Sequence, residues 1–123
     1  MIKGTGIDIV KIERMQKAIL KENFVRRVFS TSEQEYCISK NRQAAYSYAA
    51  RFAAKEAFVK ALGTGFVAGK LTDIEVVNDL QGKPTLVLGG LFREIIEERK
   101  IENIHLSLSH TAEYAMAQVI LEG

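Results

Sequence analysis

The 123-residue sequence has little of what several special classes of small protein depend on. It holds one cysteine, Cys37, so an intrachain disulfide is impossible and cysteine-based zinc spacing is missing. It has no tryptophan and one proline, Pro84, and no apolar run approaches the roughly 20 residues of a membrane-spanning helix. These absences exclude a disulfide-stapled scaffold and a cysteine-based zinc module, and they indicate no insertion into a membrane.

The remaining composition is that of a folded domain. The hydrophobic fraction of 47% and the charged fraction of 26% predict one globular domain over residues 1–123. The first residues, MIKGTGIDIV, alternate like a strand and lack the apolar centre of a signal peptide. Together with the lone cysteine, this pattern favours the reducing cytoplasm.

Positive charge is concentrated near the N-terminus. The net charge is only +2, but residues 11–27 hold six basic and two acidic side chains. Nucleic-acid modules usually interleave aromatics with a larger basic excess, and this stretch contains only Phe24, so nucleic-acid binding is the weaker alternative. The spacing of Arg14, Lys17 and Lys21 predicts a basic stripe on one face of a helix over about residues 11–20.

The pattern of apolar residues predicts the order of the elements. Residues 2–10 read as a strand, a short helix follows the possible N-caps at 30–32, and the longest helix runs from about 41 to 62 before Gly63-Thr64-Gly65. Two hairpins are expected over 71–90 and 104–121, with a helix over 91–100 between them. The prediction is an α+β domain in which a long buried helix and shorter helices pack on an antiparallel sheet.

The apolar residues of the long helix point in nearly all directions, which predicts that the helix is largely buried. It nevertheless contains four charged residues: Arg51, Lys55, Glu56 and Lys60. One interpretation is an intrahelical Glu56–Lys60 pair with Arg51 and Lys55 extending to the surface. However, Glu56 and Lys60 share one face, and Arg51 and Lys55 lie roughly 100° or more away from it. Two charged faces on one buried helix indicate two different neighbours, and therefore favour an oligomer.

Asp8 and His110 are ambiguous when taken alone. A carboxylate on a strand is usually just solvated, but Asp8 paired with Glu56 would supply the one or two carboxylates that Mg²⁺ takes from proteins. His110, at a tight turn, fits an ordinary turn residue as well as a catalytic one. The motifs GxxxxGK[ST], GxGxxG and CxxC are absent, which excludes the common nucleotide and redox signatures.

Four segments together resemble the holo-acyl-carrier-protein synthase family of 4′-phosphopantetheinyl transferases: GIDIV around Asp8, RFAAKEAFVKALGTG over 51–65, GKP over 82–84 and LSLSHTAEYAMAQV over 106–119. The resemblance extends over nearly the whole chain. It implies the fold of that family and a magnesium-dependent transfer of 4′-phosphopantetheine from coenzyme A to a serine of acyl carrier protein. The reaction releases adenosine 3′,5′-bisphosphate and supports fatty acid biosynthesis.

The resemblance also implies roles for individual residues. Asp8 and Glu56 match the magnesium carboxylates and, with Lys60, the catalytic set. The positions implied to contact coenzyme A are Arg42, Arg51, Lys60, Gly63, Gly82, Lys83, Pro84, His110 and Thr111. Lys55 is expected at the same site, because it lies with Arg51 on the second charged face of the long helix. Gln43 stands where some relatives carry a second base. An acidic carrier protein would dock on Arg14, Lys17 and Lys21. The resemblance to the short members of the family also implies a homotrimer with active sites between subunits. An inactive homologue, the other alternative, would be expected to lose Asp8, Glu56 or Lys60.

Overall fold

Two antiparallel sheets pack around one long helix. The computed structural model describes residues 1–63 and 69–123, and Thr64 and Gly65 of the expected helix stop lie outside these ranges. The strands are β1 (Ile2–Lys11), β2 (Ile74–Asn78), β3 (Pro84–Leu88), β4 (Asn103–His110) and β5 (Tyr114–Glu122). One sheet has the order β1-β5-β4 and the other is the β2-β3 hairpin, so the α+β class predicted from the sequence is confirmed.

The helices differ from the sequence prediction near the N-terminus. They are α1 (Ile12–Ala18), α2 (Glu22–Val28), α3 (Thr31–Ser39), α4 (Ala44–Leu62) and α5 (Gly90–Glu98), with 3-10 turns at Asn41–Gln43 and Leu71–Asp73. Helix α2 was not expected. Because α1 already ends at Ala18 and Lys21 caps α2, the prediction of one helical face carrying all three bases is wrong. Within the described ranges, every helix is too short or too polar to cross a membrane.

Helix α4 is buried because its alanines let a strand approach its backbone. Residues Ala53, Ala57 and Phe58 are fully buried, as the apolar pattern all around the helix predicts. Strand β1 crosses the helix at Gly4 and Gly6, and a Cβ atom on Gly6 would overlap the carbonyl oxygen of Ala57. The two glycines therefore allow the backbone of β1 to lie directly on α4.

The start of α3 and the end of α4 follow local sequence signals. Ser30 is the N-cap of α3: its Oγ accepts from the backbone N–H of Glu33 at 3.3 Å, and Glu33 Oε1 accepts from the backbone N–H of Ser30 at 2.9 Å. This is a capping box, and it selects one of the three N-caps that the sequence allows. Helix α4 ends at Gly63, whose φ of 74° is the left-handed conformation that favours glycine.

The three-stranded sheet turns its largest β1 side chains away from the core. Gly6 and Asp8 face α4, whereas Ile7 and Ile9 are 56% and 57% exposed on the opposite face. Ile9 lies opposite Met116 of β5, which is 39% exposed. The inward position of Asp8 is therefore a consequence of which face meets the helix, and it leaves an apolar strip on the outer face of the sheet.

Candidate active site

Strand β1 and helix α4 bring Asp8 and Lys60 into contact. Lys60 Nζ donates to Asp8 Oδ1 at 3.0 Å and to the carbonyl oxygen of Ile7 at 3.1 Å. The Asp8 side chain is 16% exposed, whereas that of Lys60 is 56% exposed. The lysine therefore holds the carboxylate while keeping contact with solvent, and both groups can meet a ligand.

Glu56 lies one helical turn before Lys60 and shares the environment of Asp8. Burial raises the pKa of Glu56, the negative charge of Asp8 raises it further, and Lys60 opposes this shift. Asp8 and Glu56 line the same cavity of about 400 Å³, whose rim includes Lys11 and Arg14. The raised pKa shows that Lys60 alone does not offset burial and the neighbouring carboxylate, so a cation bound here would be stabilised.

The donor set fits Mg²⁺. Carboxylate oxygens are hard ligands, and Mg²⁺ usually takes only one or two of them from the protein while keeping water and substrate phosphates. Asp8 and Glu56 are such a pair, and the described residues contain no cluster of three or more histidine, cysteine or acidic side chains. A closed, all-protein metal cage is therefore not formed by this part of the chain.

A second cavity adjoins Glu56. It measures about 740 Å³ and is lined by Phe24, Phe52, Glu56 and the bases Arg26, Arg27 and Lys70. The first cavity also touches Phe24 and Phe52. The two cavities therefore share part of their lining, and together they are called the carboxylate groove.

Lys55 does not fit the expectation that it contacts coenzyme A. Its side chain is fully buried, and Nζ donates to Glu33 Oε1 at 2.7 Å, to the carbonyl oxygen of Leu71 at 2.9 Å and to that of Ile74 at 2.6 Å. An ammonium group has three protons, and all three are used within the chain. The nucleotide contact predicted for Lys55 is therefore wrong: this side chain joins α4 to α3 and to the segment before β2.

Arg51 lies in a third cavity, of about 360 Å³, together with Pro84 and His110. Its side chain is almost buried, with the residue 4% exposed, and Nη2 donates to Asn78 Oδ1 at 2.6 Å. The Arg51 Cζ atom lies 3.9 Å from the centroid of the Tyr36 ring. The structure thus gathers three of the residues expected at the nucleotide, and it holds the arginine in one position.

The other expected nucleotide residues lie in turns and at helix ends. Thr111 Oγ1 accepts from the backbone N–H groups of Glu113 and Tyr114 at 3.2 and 3.1 Å, so this hydroxyl organises the β4-β5 turn. Gly82 has φ of 85° in the β2-β3 turn. Gly82 is exposed, and so are three further residues: Arg42, Gly63 and Lys83.

The two groups of candidate residues lie on different sides of α4. Arg51 and Glu56 are five positions apart, which separates them by roughly 140° around an α-helix. They accordingly line different cavities. The charged residues on the two faces of this helix therefore open onto two different cavities of the same chain.

Sequence reasoning missed three residues of the Arg51 cavity. Tyr36 and Tyr46 line it, and the Tyr46 ring lies 5.4 Å from that of His110 between centroids. Asn78 also lines it, at the end of β2. The position of Asn78 inside the hairpin predicted over 71–90 was a usable signal, whereas nothing local marks Tyr36, because its contact with Arg51 is tertiary.

A family model supports the class of protein that this arrangement indicates. The model is described as the 4′-phosphopantetheinyl transferase superfamily and matches residues 4–119. Because the match spans nearly the whole chain, the chain belongs to this superfamily.

Individual relatives narrow the class. A holo-acyl-carrier-protein synthase of Syntrophus aciditrophicus is 52% identical over 126 residues, covering 100% of this chain and 98% of the relative. A crystal structure of the synthase from Neisseria meningitidis matches with a TM-score of 0.88 and 32% identity, covering 100% of both chains. The Bacillus anthracis synthase in complex with CoA (3′,5′-ADP) matches with a TM-score of 0.82 and 39% identity, covering 99% of this chain and 97% of that one. Within the superfamily, these similarities group the chain with the holo-acyl-carrier-protein synthases.

Proposed function

We propose that this protein transfers the 4′-phosphopantetheine group of coenzyme A to a serine of an apo-acyl carrier protein and releases adenosine 3′,5′-bisphosphate. The observation that carries the proposal is the convergence of Asp8, Glu56 and Lys60 on one side of α4. Phosphoryl-group transfer depends on positioning and on neutralising charge, and two carboxylates for a cation beside one lysine supply both.

Asp8 and Glu56 would hold Mg²⁺, which supplies charge neutralisation and alignment of the pyrophosphate of coenzyme A. The serine oxygen attacks the β-phosphorus, and the bond from this phosphorus to the oxygen that bridges to the α-phosphate breaks. Lys60 lies beside the carboxylates and is half exposed, so its ammonium group can stabilise the negative charge on the departing bisphosphate and give it a proton. A water activated by the bound cation would take the serine proton, because a carboxylate that holds a cation is a weakened base.

The nucleotide half of coenzyme A would occupy the Arg51 cavity. Arg51 and His110 offer donors to phosphates, Pro84 offers an apolar wall, and the solved Bacillus anthracis synthase binds CoA (3′,5′-ADP). The exposed residues that complete this subsite in the proposal are Arg42, Gly82, Lys83 and Thr111. Lys55 is not part of it. Gly63, roughly 18 Å from Arg51 along α4, would meet the same coenzyme A from another subunit.

A homotrimer of about 41 kDa, three times the 13.7 kDa chain, is part of the proposal. Two observations support it. The outer face of the three-stranded sheet exposes Ile7, Ile9 and Met116, which association would cover. In addition, the Glu56 and Arg51 cavities lie on different sides of α4, so one coenzyme A molecule can use both kinds of cavity most simply between two subunits.

The proposed docking surface for the acidic carrier protein is the basic rim of the cavity that holds Asp8 and Glu56, continued along α1 to the start of α2. Arg14 lines the cavity of Asp8 and Glu56, which places positive charge beside the reacting serine. Lys17 is exposed on α1 near Glu13, at 3.8 Å, and Lys21 continues the basic surface at the start of α2. A role in fatty acid biosynthesis in the cytoplasm completes the proposal, and the lone thiol of Cys37 is compatible with a reducing compartment.

Mass spectrometry of the carrier protein tests the function. The purified protein is incubated with coenzyme A, Mg²⁺ and a panel of apo-acyl carrier proteins, and the expected product is a carrier heavier by one phosphopantetheine. The variants Asp8→Asn and Glu56→Gln keep the side-chain shapes but remove the charge, and each should lower the rate by about 100-fold or more. Unmodified carriers alongside an active control enzyme would refute the proposed function, and near wild-type rates in either variant at saturating Mg²⁺ would refute the metal site.

A further inference from the structure

The Arg51 guanidinium is held by two residues to which neither the family resemblance nor the comparisons give a role. Its Cζ atom lies over the Tyr36 ring, 3.9 Å from the centroid, and its Nη2 donates to Asn78 Oδ1. Asn78 Nδ2 in turn donates to the carbonyl oxygen of Gly82 at 2.9 Å. The Asn78 amide is therefore fixed at both ends, with its oxygen toward the arginine.

Arg51 nevertheless keeps unused donor capacity. Its Nε atom is buried and finds no acceptor among the described residues. A buried donor of a charged group without an acceptor is costly, typically by about 1–3 kcal/mol or more, unless a ligand completes it. Arg51 also lines the third cavity, so an anion bound there would compensate the charge of the guanidinium, for which the chain supplies no carboxylate among the described lining residues.

The charge around the cavity selects the kind of ligand. Its described lining contains Arg51 and His110 but no carboxylate. A second cation, Lys40 Nζ, lies 4.8 Å from the centroid of the same Tyr36 ring. Such surroundings stabilise a compact anion with several acceptor oxygens, and a phosphate matches the fork of guanidinium donors.

We propose that Tyr36 and Asn78 are positioning residues that hold Arg51 for the 3′-phosphate of coenzyme A, and that they thereby set a preference for coenzyme A over dephospho-coenzyme A. The inference rests on the proposed function, since it concerns the same donor substrate. Coenzyme A carries a 3′-phosphate and dephospho-coenzyme A does not, whereas both substrates carry the pyrophosphate. The pyrophosphate would lie at the separate carboxylate site. Tyr36 contributes by stacking, and Asn78 contributes by accepting one N–H while leaving the remaining ones for the ligand.

Paired variants separate positioning from mere packing. Tyr36→Leu removes the aromatic face and Tyr36→Phe keeps it, so the leucine variant alone should raise the KM for coenzyme A, by about tenfold. Asn78→Asp keeps the shape and the acceptor for Arg51, but it loses the N–H that Gly82 accepts and adds a negative charge. It should also raise this KM by about tenfold or more through neutralisation of Arg51 and repulsion of phosphate. The KM for dephospho-coenzyme A should change less than about twofold in all of these variants, because this substrate has no 3′-phosphate for Arg51 to contact.

The experiment measures KM and kcat with both donors for the wild type and the three variants, at a fixed carrier concentration. Calorimetry with adenosine 3′,5′-bisphosphate and adenosine 5′-monophosphate gives a readout that does not need turnover, and only the bisphosphate should lose affinity in Tyr36→Leu and Asn78→Asp. A wild type without preference between the donors, or variants that impair both donors equally, would overturn the inference while leaving the proposed function intact. A wild type that modifies no carrier with either donor would instead contradict the proposed function, and the calorimetric comparison would still decide the role of Tyr36 and Asn78.

Discussion

Lys60 and Asp8 form a hydrogen-bonded ion pair, 3.0 Å from Nζ to Oδ1, between a half-exposed lysine and a largely buried carboxylate. The lysine also donates to the carbonyl oxygen of Ile7. A surface ion pair of this kind contributes little to stability, commonly about 0–1 kcal/mol. Its importance is therefore positional: it keeps one proton-bearing cation within reach of whatever binds between the carboxylates.

Substitution of Lys60 should separate its charge from its ability to give up a proton. Lys60→Ala is expected to lower kcat by about 100- to 1,000-fold, because the charge on the leaving bisphosphate is then less well stabilised. Lys60→Arg should restore only part of this loss, since a guanidinium keeps the charge but does not readily release a proton. Single-turnover rates measure both effects, and full activity of the arginine variant would leave a purely electrostatic role.

Mixed oligomers should reveal whether active sites are shared between subunits. Glu56→Gln and Arg51→Gln are each expected to be nearly inactive, because each lacks one half of the site. Random mixing of the two variants by co-expression should restore about a quarter of the wild-type activity, since some sites combine an intact Glu56 from one chain with an intact Arg51 from another. Light scattering on the same sample checks for the trimer, and a mixture no more active than its components would place each site within one chain.

Reversal of the basic charges near the groove should affect the carrier protein rather than coenzyme A. Arg14→Glu with Lys21→Glu is expected to raise the KM for an acidic carrier about tenfold and to flatten its salt dependence, because complementary charge accelerates encounter and is screened by salt. Arg93→Glu on α5 is the control, since Arg93 pairs with Glu97 on an exposed surface. An unchanged carrier KM with weakened coenzyme A binding would assign the basic surface to the nucleotide instead.

The contact between Gly6 and α4 should be intolerant of a single methyl group. Gly6→Ala places a Cβ atom against the carbonyl oxygen of Ala57, and backbone cannot move aside as a flexible side chain can. We expect a loss of stability of about 1–3 kcal/mol or more, together with weaker metal-dependent activity because Asp8 follows two residues later. Thr5→Ala, at an exposed neighbouring position, is the control. Thermal unfolding monitored by circular dichroism, together with activity, measures both effects, and a Gly6→Ala protein as stable as the control would contradict this account.

Removal of one partner from the buried Lys55–Glu33 pair should be far more damaging than removal of both. Lys55→Met leaves the Glu33 carboxylate in the core without its counter-charge, and a loss of about 3–5 kcal/mol is expected. The double variant Lys55→Met with Glu33→Gln removes the uncompensated charge, and the single amide oxygen can still accept from one of the two backbone N–H groups of Ser30 and Val76, so part of the stability should return. Urea unfolding of both variants provides the measurement. Equal destabilisation in the two would show that the hydrogen bonds of Lys55, rather than the buried charge of Glu33, dominate.

Much of the fold was predictable because its elements carry local signals. The capping box at Ser30, the left-handed Gly63 and the turn with Gly82 mark helix and strand boundaries in the sequence itself. Helix α2 carried no comparable signal: its N-cap, Lys21, makes no side-chain cap bond. That helix forms where Val28 packs into the core, and the local sequence pattern does not predict such tertiary packing.

The candidate site was predictable in part for the same reason. The spacing of Glu56 and Lys60 on one helical face could be read from the sequence, and the resemblance supplied Asp8. Lys55 was misassigned because the sequence shows a charged residue next to Glu56 but does not show Glu33 reaching it from another helix. Tyr36 was missed on similar grounds, since its partner Arg51 lies fifteen positions away in the sequence.

Glu33 joins three segments that are distant in the chain. Its carboxylate accepts from the backbone N–H of Ser30 at 2.9 Å, from Lys55 Nζ at 2.7 Å and from the backbone N–H of Val76 at 3.0 Å. Opening any one of these segments alone would leave a charged or hydrogen-bonding group unpaired in the interior. We therefore expect the start of α3, the middle of α4 and strand β2 to exchange their amide hydrogens as one cooperative unit, with local fraying of α3 suppressed until the whole unit opens.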